Sequence, residues 1–176
     1  MSRSNPYLRK RRYAQKTLLI FGEGLGEEMF LKHLRKLYSF NSGVAVTIKR
    51  GKGGNALNII IDADKIIGAY DRKIVILDDD KPSIEMVKAR QEAQKRRIEL
   101  IENTPCLEFL LLTIIDKEPN GQNSIWCKNE FESKFIDKKK RDEPSEYDKL
   151  FTKELLNSKR SKLVDLNKLI LIMEGK

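Results

Sequence analysis

Apolar and polar positions alternate in blocks along this chain, and the blocks predict strands and helices in turn. Thr17–Phe21 (TLLIF) is a short, largely apolar run closed by glycine, the pattern of a buried strand. From Leu25 to about Tyr38 the apolar positions Met29, Phe30, Leu34 and Leu37 recur at helical spacing. Val44–Lys49 is rich in β-branched residues and predicts a second strand. Gly51, Gly53 and Gly54 then make a flexible loop, and Asn55 is placed to cap a helix running to about Ile67. Lys73–Leu77 (KIVIL) is the clearest strand. It stops at Asp78-Asp79-Asp80-Lys81-Pro82, and Ser83 is placed as the N-cap of a charged helix to about Arg97. Ile98–Ile101 predicts a fourth strand, and Pro105 is placed to open a helix through Leu107–Ile115.

After that the pattern changes. Residues 116–124 form a loop rich in turn residues, and Phe131–Phe135, Tyr147–Leu156 and Leu163–Met173 each predict a short helix. Strands alternating with helices imply an α/β fold with a mostly parallel central sheet flanked by helices, followed by a helical C-terminal elaboration. The implied organisation is a basic arm over 1–16, an α/β core over 17–115 and an elaboration of the same domain over 116–176. A chain of 176 residues suits one domain.

Charge sharpens this picture. The net charge is +9. Arg3, Arg9, Lys10, Arg11, Arg12 and Lys16 stand in the first sixteen residues with no acid among them. A basic arm on a modestly basic body suggests a polyanion, DNA or RNA, as partner; a merely solvated tail is the alternative. The N-terminal stretch lacks the apolar segment of a secretory signal, and no apolar run approaches the ~20 residues that cross a bilayer. Cys106 and Cys127 form no metal-binding spacing, and a reducing cytoplasm is the expected compartment. A solitary histidine, His33, argues against histidine-based nucleases and Ser-His-Asp catalysis.

Two acidic groups carry the candidate chemistry. Gly22-Glu23-Gly24-Leu25-Gly26-Glu27 joins a strand to a helix. Its carboxylates would repel a bound phosphate, so it is no nucleotide cradle. Carboxylates that hold a cation would instead attract phosphate. Gly22 and Gly24 are expected to leave room for a ligand beside Glu23. The second group, Asp78-Asp79-Asp80, ends a strand, where ligands of open α/β sheets bind. Alternation puts Asp78 and Asp80 on one side and Asp79 on the other. Glu23, Asp78 and Asp80 would repel one another without a cation, and Mg²⁺ or Mn²⁺ takes such hard oxygen ligands. Glu27, one turn after Glu23, is a candidate for a second ion or for orienting water. Glu108, alone in CLEFLLLTII, either aids the metal or pairs with an arginine. Lys52 is either a surface lysine or a cation for a phosphoryl transition state.

A Glu in a glycine-rich turn after the first strand, followed by D-x-D at a later strand end, resembles the Toprim pattern of topoisomerases, primases and OLD-family nucleases. The chain most resembles the RloB-like family of Toprim proteins, which is associated with bacterial restriction and phage-defence loci. The resemblance rests on the basic stretch before TLLIF, Glu23-Gly24-Leu25-Gly26-Glu27, Asp78-Asp79-Asp80, and Asn103-Thr104-Pro105-Cys106-Leu107-Glu108-Phe109. It covers about residues 7–115. Thr104 departs from the family by separating Asn103 from Pro105. The resemblance implies a Toprim-like fold, a Mg²⁺-dependent nuclease with Glu23, Asp78 and Asp80 as ligands, and a partner protein of a defence system. A binding module that keeps the acids without cleaving, and an enzyme acting on small nucleotides, are the rival readings.

Overall fold

The computed structural model describes residues 16–40 and 42–176. The basic arm therefore lies, but for Lys16, outside the described residues. Among the described residues four strands form the sheet: β1 (Lys16–Gly22), β2 (Val44–Arg50), β3 (Arg72–Asp78) and β4 (Glu99–Asn103). Among the described residues there are eight helices: α1 (Leu25–Tyr38), α2 (Ala56–Asp64), α3 (Ser83–Lys95), α4 (Leu107–Ile114), α5 (Ser124–Lys134), α6 (Pro144–Leu150), α7 (Lys153–Arg160) and α8 (Val164–Met173). The strands lie in the order β2-β1-β3-β4, and every pairing is parallel. This is the α/β class expected, consistent with a Toprim-like sheet.

The order follows from short crossover connections. The chain steps from β1 outward to β2, then crosses back past β1 to place β3 on its other side. The sheet direction thus reverses between β1 and β3, which creates a switch point at their C-terminal ends. Alternation along each strand feeds two separate cores. Leu18, Ile20, Ile74, Ile76 and Ile101 pack with α1, α4 and the helices from α5 to α8. Phe21, Val75 and Leu77 pack on the opposite face with α2 and α3, against Ile59, Ile60, Met86 and Ala89. Central strands buried on both faces carry almost no polar residue, which explains the apolar runs in β1 and β3.

Several boundaries differ from expectation. Pro82, not Ser83, precedes the first turn of α3, and no side chain caps that helix. Pro105 stays outside α4, whose N-cap is Cys106. The helix expected over Tyr147–Leu156 is two helices: Phe151 leaves helical geometry, and Thr152 starts α7 by accepting the Leu155 N–H at 3.3 Å. The helix expected at Phe131 begins seven residues earlier, where the Asn123 side chain accepts the Trp126 N–H at 2.9 Å. Asn55 caps α2 as expected, accepting the Leu57 N–H at 3.0 Å. Among the described residues no helix is long and apolar enough to cross a membrane.

Candidate metal centre

The sheet delivers its acids to the switch point. β1 hands over to Glu23, and β3 ends at Asp78 on the adjacent strand. A cleft of about 420 Å³ opens there, lined by Glu23, Glu27, Asp78 and Glu108 together with Arg50, Lys52, Lys128 and Arg141. Four of the five expected acidic residues, and Lys52, therefore share one cleft. Asp80 lies at its margin and lines a neighbouring cleft with Lys81 and Pro82.

Gly22 serves packing rather than ligand access, whereas Gly24 has only an ordinary contact beside it, with Glu27. A Cβ on Gly22 would stand 2.6 Å from the Cβ of Glu27, so the space beside Gly22 belongs to α1. Glu27 then reaches back, and its Oε2 accepts the Gly24 N–H at 3.0 Å, satisfying an orphan donor at the helix start. The Gly51–Gly54 loop is anchored rather than free at its beginning. Gly51 N–H donates to the Gly22 carbonyl at 2.9 Å and Gly53 N–H to the Glu23 carbonyl at 3.1 Å, which carries Lys52 to the cleft.

Asp78 is 3% exposed, yet both of its oxygens are held. Oδ1 accepts the Leu107 N–H at the start of α4 at 3.0 Å, and Oδ2 lies 2.9 Å from Lys128 Nζ. The same ammonium lies 2.9 Å from Asp80 Oδ2. Asp78 and Asp80 thus face one side, as strand alternation implies. Asp79 turns away, with its N–H on the Asn103 carbonyl at 2.9 Å and its carboxylate 3.8 Å from Arg90. Glu23 is held by Lys81, whose Nζ donates to Oε1 at 2.7 Å.

The expectation that these acids repel one another without an added cation is therefore corrected. Lys81 and Lys128 supply positive charge from within the chain, and nothing in the sequence pattern marks either for that role. Burial alone would lower the pKa of the Lys128 ammonium. Its hydrogen bonds to Asp78 and Asp80, and their charges, raise it above the usual lysine value instead.

Deeper in the cleft the balance is different. Burial, and then the charge of Asp78, with Glu108 and Glu23 adding to it, pushes the Glu27 carboxyl up to about 7. Burial and Asp78 likewise raise Glu108, whose enclosed Oε2 has no hydrogen-bond partner among the described residues. Of the two roles expected for Glu108, pairing with an arginine is not found among the described residues. An orphaned carboxylate oxygen beside three further acids is a donor set that hard divalent cations satisfy. Even so, no three His, Cys, Asp or Glu side chains among the described residues already stand in a metal-ligating arrangement. The residue types and their convergence fit a Mg²⁺ or Mn²⁺ ion, provided the lysine contacts give way.

His33 is structural. Its Nδ1 lies 3.0 Å from Asp148 Oδ1 and its Nε2 2.6 Å from the Phe151 carbonyl, tying α1 to α6. Cys106 and Cys127 are both buried and free, and burial raises both thiols. No family model, curated protein or solved structure matches the chain.

Proposed function

We propose that this protein is a Mg²⁺- or Mn²⁺-dependent nuclease of Toprim type, hydrolysing phosphodiester bonds in DNA or RNA, and that it serves bacterial defence against phage with a partner protein. The observation that carries the reading is the convergence of Glu23, Glu27, Asp78 and Glu108 on one cleft at the β1–β3 switch point, with Arg50, Lys52 and Arg141 on its walls. Phosphate chemistry needs both signs of charge: acids to hold a cation, and bases to meet the phosphate.

Glu23 and Asp78 would hold the ion, with Asp80, Glu27 and Glu108 beside them. A bound ion would lower the pKa of water and polarise a phosphoryl oxygen. The residues of the chain do the rest. Lys52 and Arg50 orient the phosphate backbone at the mouth of the cleft. The Glu27 carboxyl, poised near neutrality, is suited to exchange a proton with water. The basic arm adds sequence-independent affinity for phosphates.

The test is incubation of the full chain with labelled DNA, labelled RNA and free nucleotides, with and without Mn²⁺. Glu23→Gln removes the charge that would hold the ion, and cleavage should fall by orders of magnitude. A variant that cuts as fast as the unaltered protein removes Glu23 from the chemistry. Cleavage of free nucleotides alone would make the substrate a small molecule.

The second reading is a nucleic-acid- or protein-binding module that does not cleave. The lysine contacts favour it, because Glu23, Asp78 and Asp80 already have counter-charges without a metal. Retained nucleic-acid binding without cleavage under any divalent ion would establish it.

A further inference from the structure

Lys128 stands where a cation between Asp78 and Asp80 would stand. It reaches there from α5, a helix outside the sheet that carries the acids. A carboxylate as enclosed as Asp78 needs a counter-charge close by, and the ammonium supplies one. The helix beneath the lysine is fixed, since Cys127 is fully buried and Phe131 nearly so. The lysine side chain itself is 38% exposed, so its end can move to solvent without displacing α5.

Resting on the metal-ion reading above, we propose that Lys128 is the resident counter-ion of the site, and that a divalent cation binds only by displacing it. An ammonium and a divalent ion repel each other strongly when both approach the same enclosed carboxylate oxygens. The charge that stabilises the metal-free fold therefore opposes metal entry, and the two effects are linked through Asp78. Lys81 differs, because it meets Glu23 from the same loop that carries Asp80. Lys128 joins the two aspartates, and it brings the C-terminal helices into control of the site.

The test uses the full chain, Mn²⁺ titration by calorimetry and thermal melting, with the variants Lys128→Gln and Lys128→Arg. Without metal, Lys128→Gln should melt below the unaltered protein, because Asp78 loses its partner. With Mn²⁺ it should bind about tenfold tighter and gain more in melting temperature. Lys128→Arg keeps the charge and should behave as the unaltered protein in both respects. A second measurement needs no variant: reductive methylation of Lys128, read by mass spectrometry, should be slow without metal and speed up on saturation with Mn²⁺. Equal Mn²⁺ affinity in Lys128→Gln and the unaltered protein would overturn the displacement while leaving a metal site in place. If neither binds Mn²⁺, the metal-ion reading falls, and this proposal with it. If Lys128→Gln does not fold, methylation decides, and a rate indifferent to Mn²⁺ overturns the proposal.

Discussion

Glu27 shows how one residue can serve the fold and the site at once. Its carboxylate closes the start of α1 through the Gly24 N–H, while its burial and its neighbours hold the group protonated well above the ordinary carboxylate range. The folded protein thus binds a proton at Glu27 that the unfolded chain, with its ordinary value of 4.5, releases earlier. The stabilisation is complete below about pH 4.5 and is lost as pH rises through 7. Glu108 shifts in the same direction and adds to the slope. Metal-free protein should accordingly lose stability across that window, by on the order of 2–3 kcal/mol for a shift of this size. Glu27→Gln keeps the contact to Gly24 and should flatten the slope, which urea denaturation at a series of pH values would measure. A slope unchanged in Glu27→Gln would assign the pH dependence to other groups.

Secondary elements were legible in the sequence where their physics is local. β1 and β3 are short apolar runs because both faces are buried, and Asn55 announces α2 by its capping chemistry. The boundary between α6 and α7 was less visible. An unbroken apolar pattern over Tyr147–Leu156 masks Phe151, which ends one helix so that its ring can enter the core. That ring meets Phe30 of α1 edge-on, with centroids 5.3 Å apart, and Phe131 of α5 at 6.4 Å. It therefore joins the C-terminal helices to α1, which packs on one face of the sheet. Phe151→Ala should cost about 3–5 kcal/mol, read from the denaturation midpoint. A loss under about 1 kcal/mol would mean that the elaboration packs loosely. Asp78 and Asp80 could be placed on one side from the sequence because a strand end and its alternation fix them. Lys128 could not: it is one of many lysines in the chain, and its partners Asp80 and Asp78 lie 48 and 50 residues earlier.

At the scale of the whole molecule, basic residues stand both in the arm and on the walls of the cleft. Residues 1–12 contain Arg3, Arg9, Lys10, Arg11 and Arg12, while the cleft carries its own Arg50, Lys52 and Arg141. If the arm contacts phosphates, its deletion should weaken nucleic-acid binding. It should also flatten the dependence of affinity on salt, by up to about 0.9 in the log–log slope for each phosphate that the arm neutralises. The melting-temperature response to Mn²⁺ should stay as it was, because every acid that would hold the ion lies outside the arm. Identical salt slopes with and without residues 1–12 would return the arm to the role of a solvated tail.

The separation between Asp80 and Lys128 has a consequence during synthesis. The ribosome releases the chain in order, so Glu23, Asp78 and Asp80 all emerge before the lysine that bridges the two aspartates. At about 5–20 residues per second, several seconds pass before Lys128 follows. Any sheet that forms in that interval holds Asp78 without its bridging ammonium, and the β3–β4 half of the fold gains its full charge balance only when α5 docks. A nascent chain stalled before α5 should therefore be the form most stabilised by a divalent ion in its surroundings. Limited proteolysis of a released chain ending at residue 120, with and without Mg²⁺, would reveal that dependence, and the complete chain should show a smaller one.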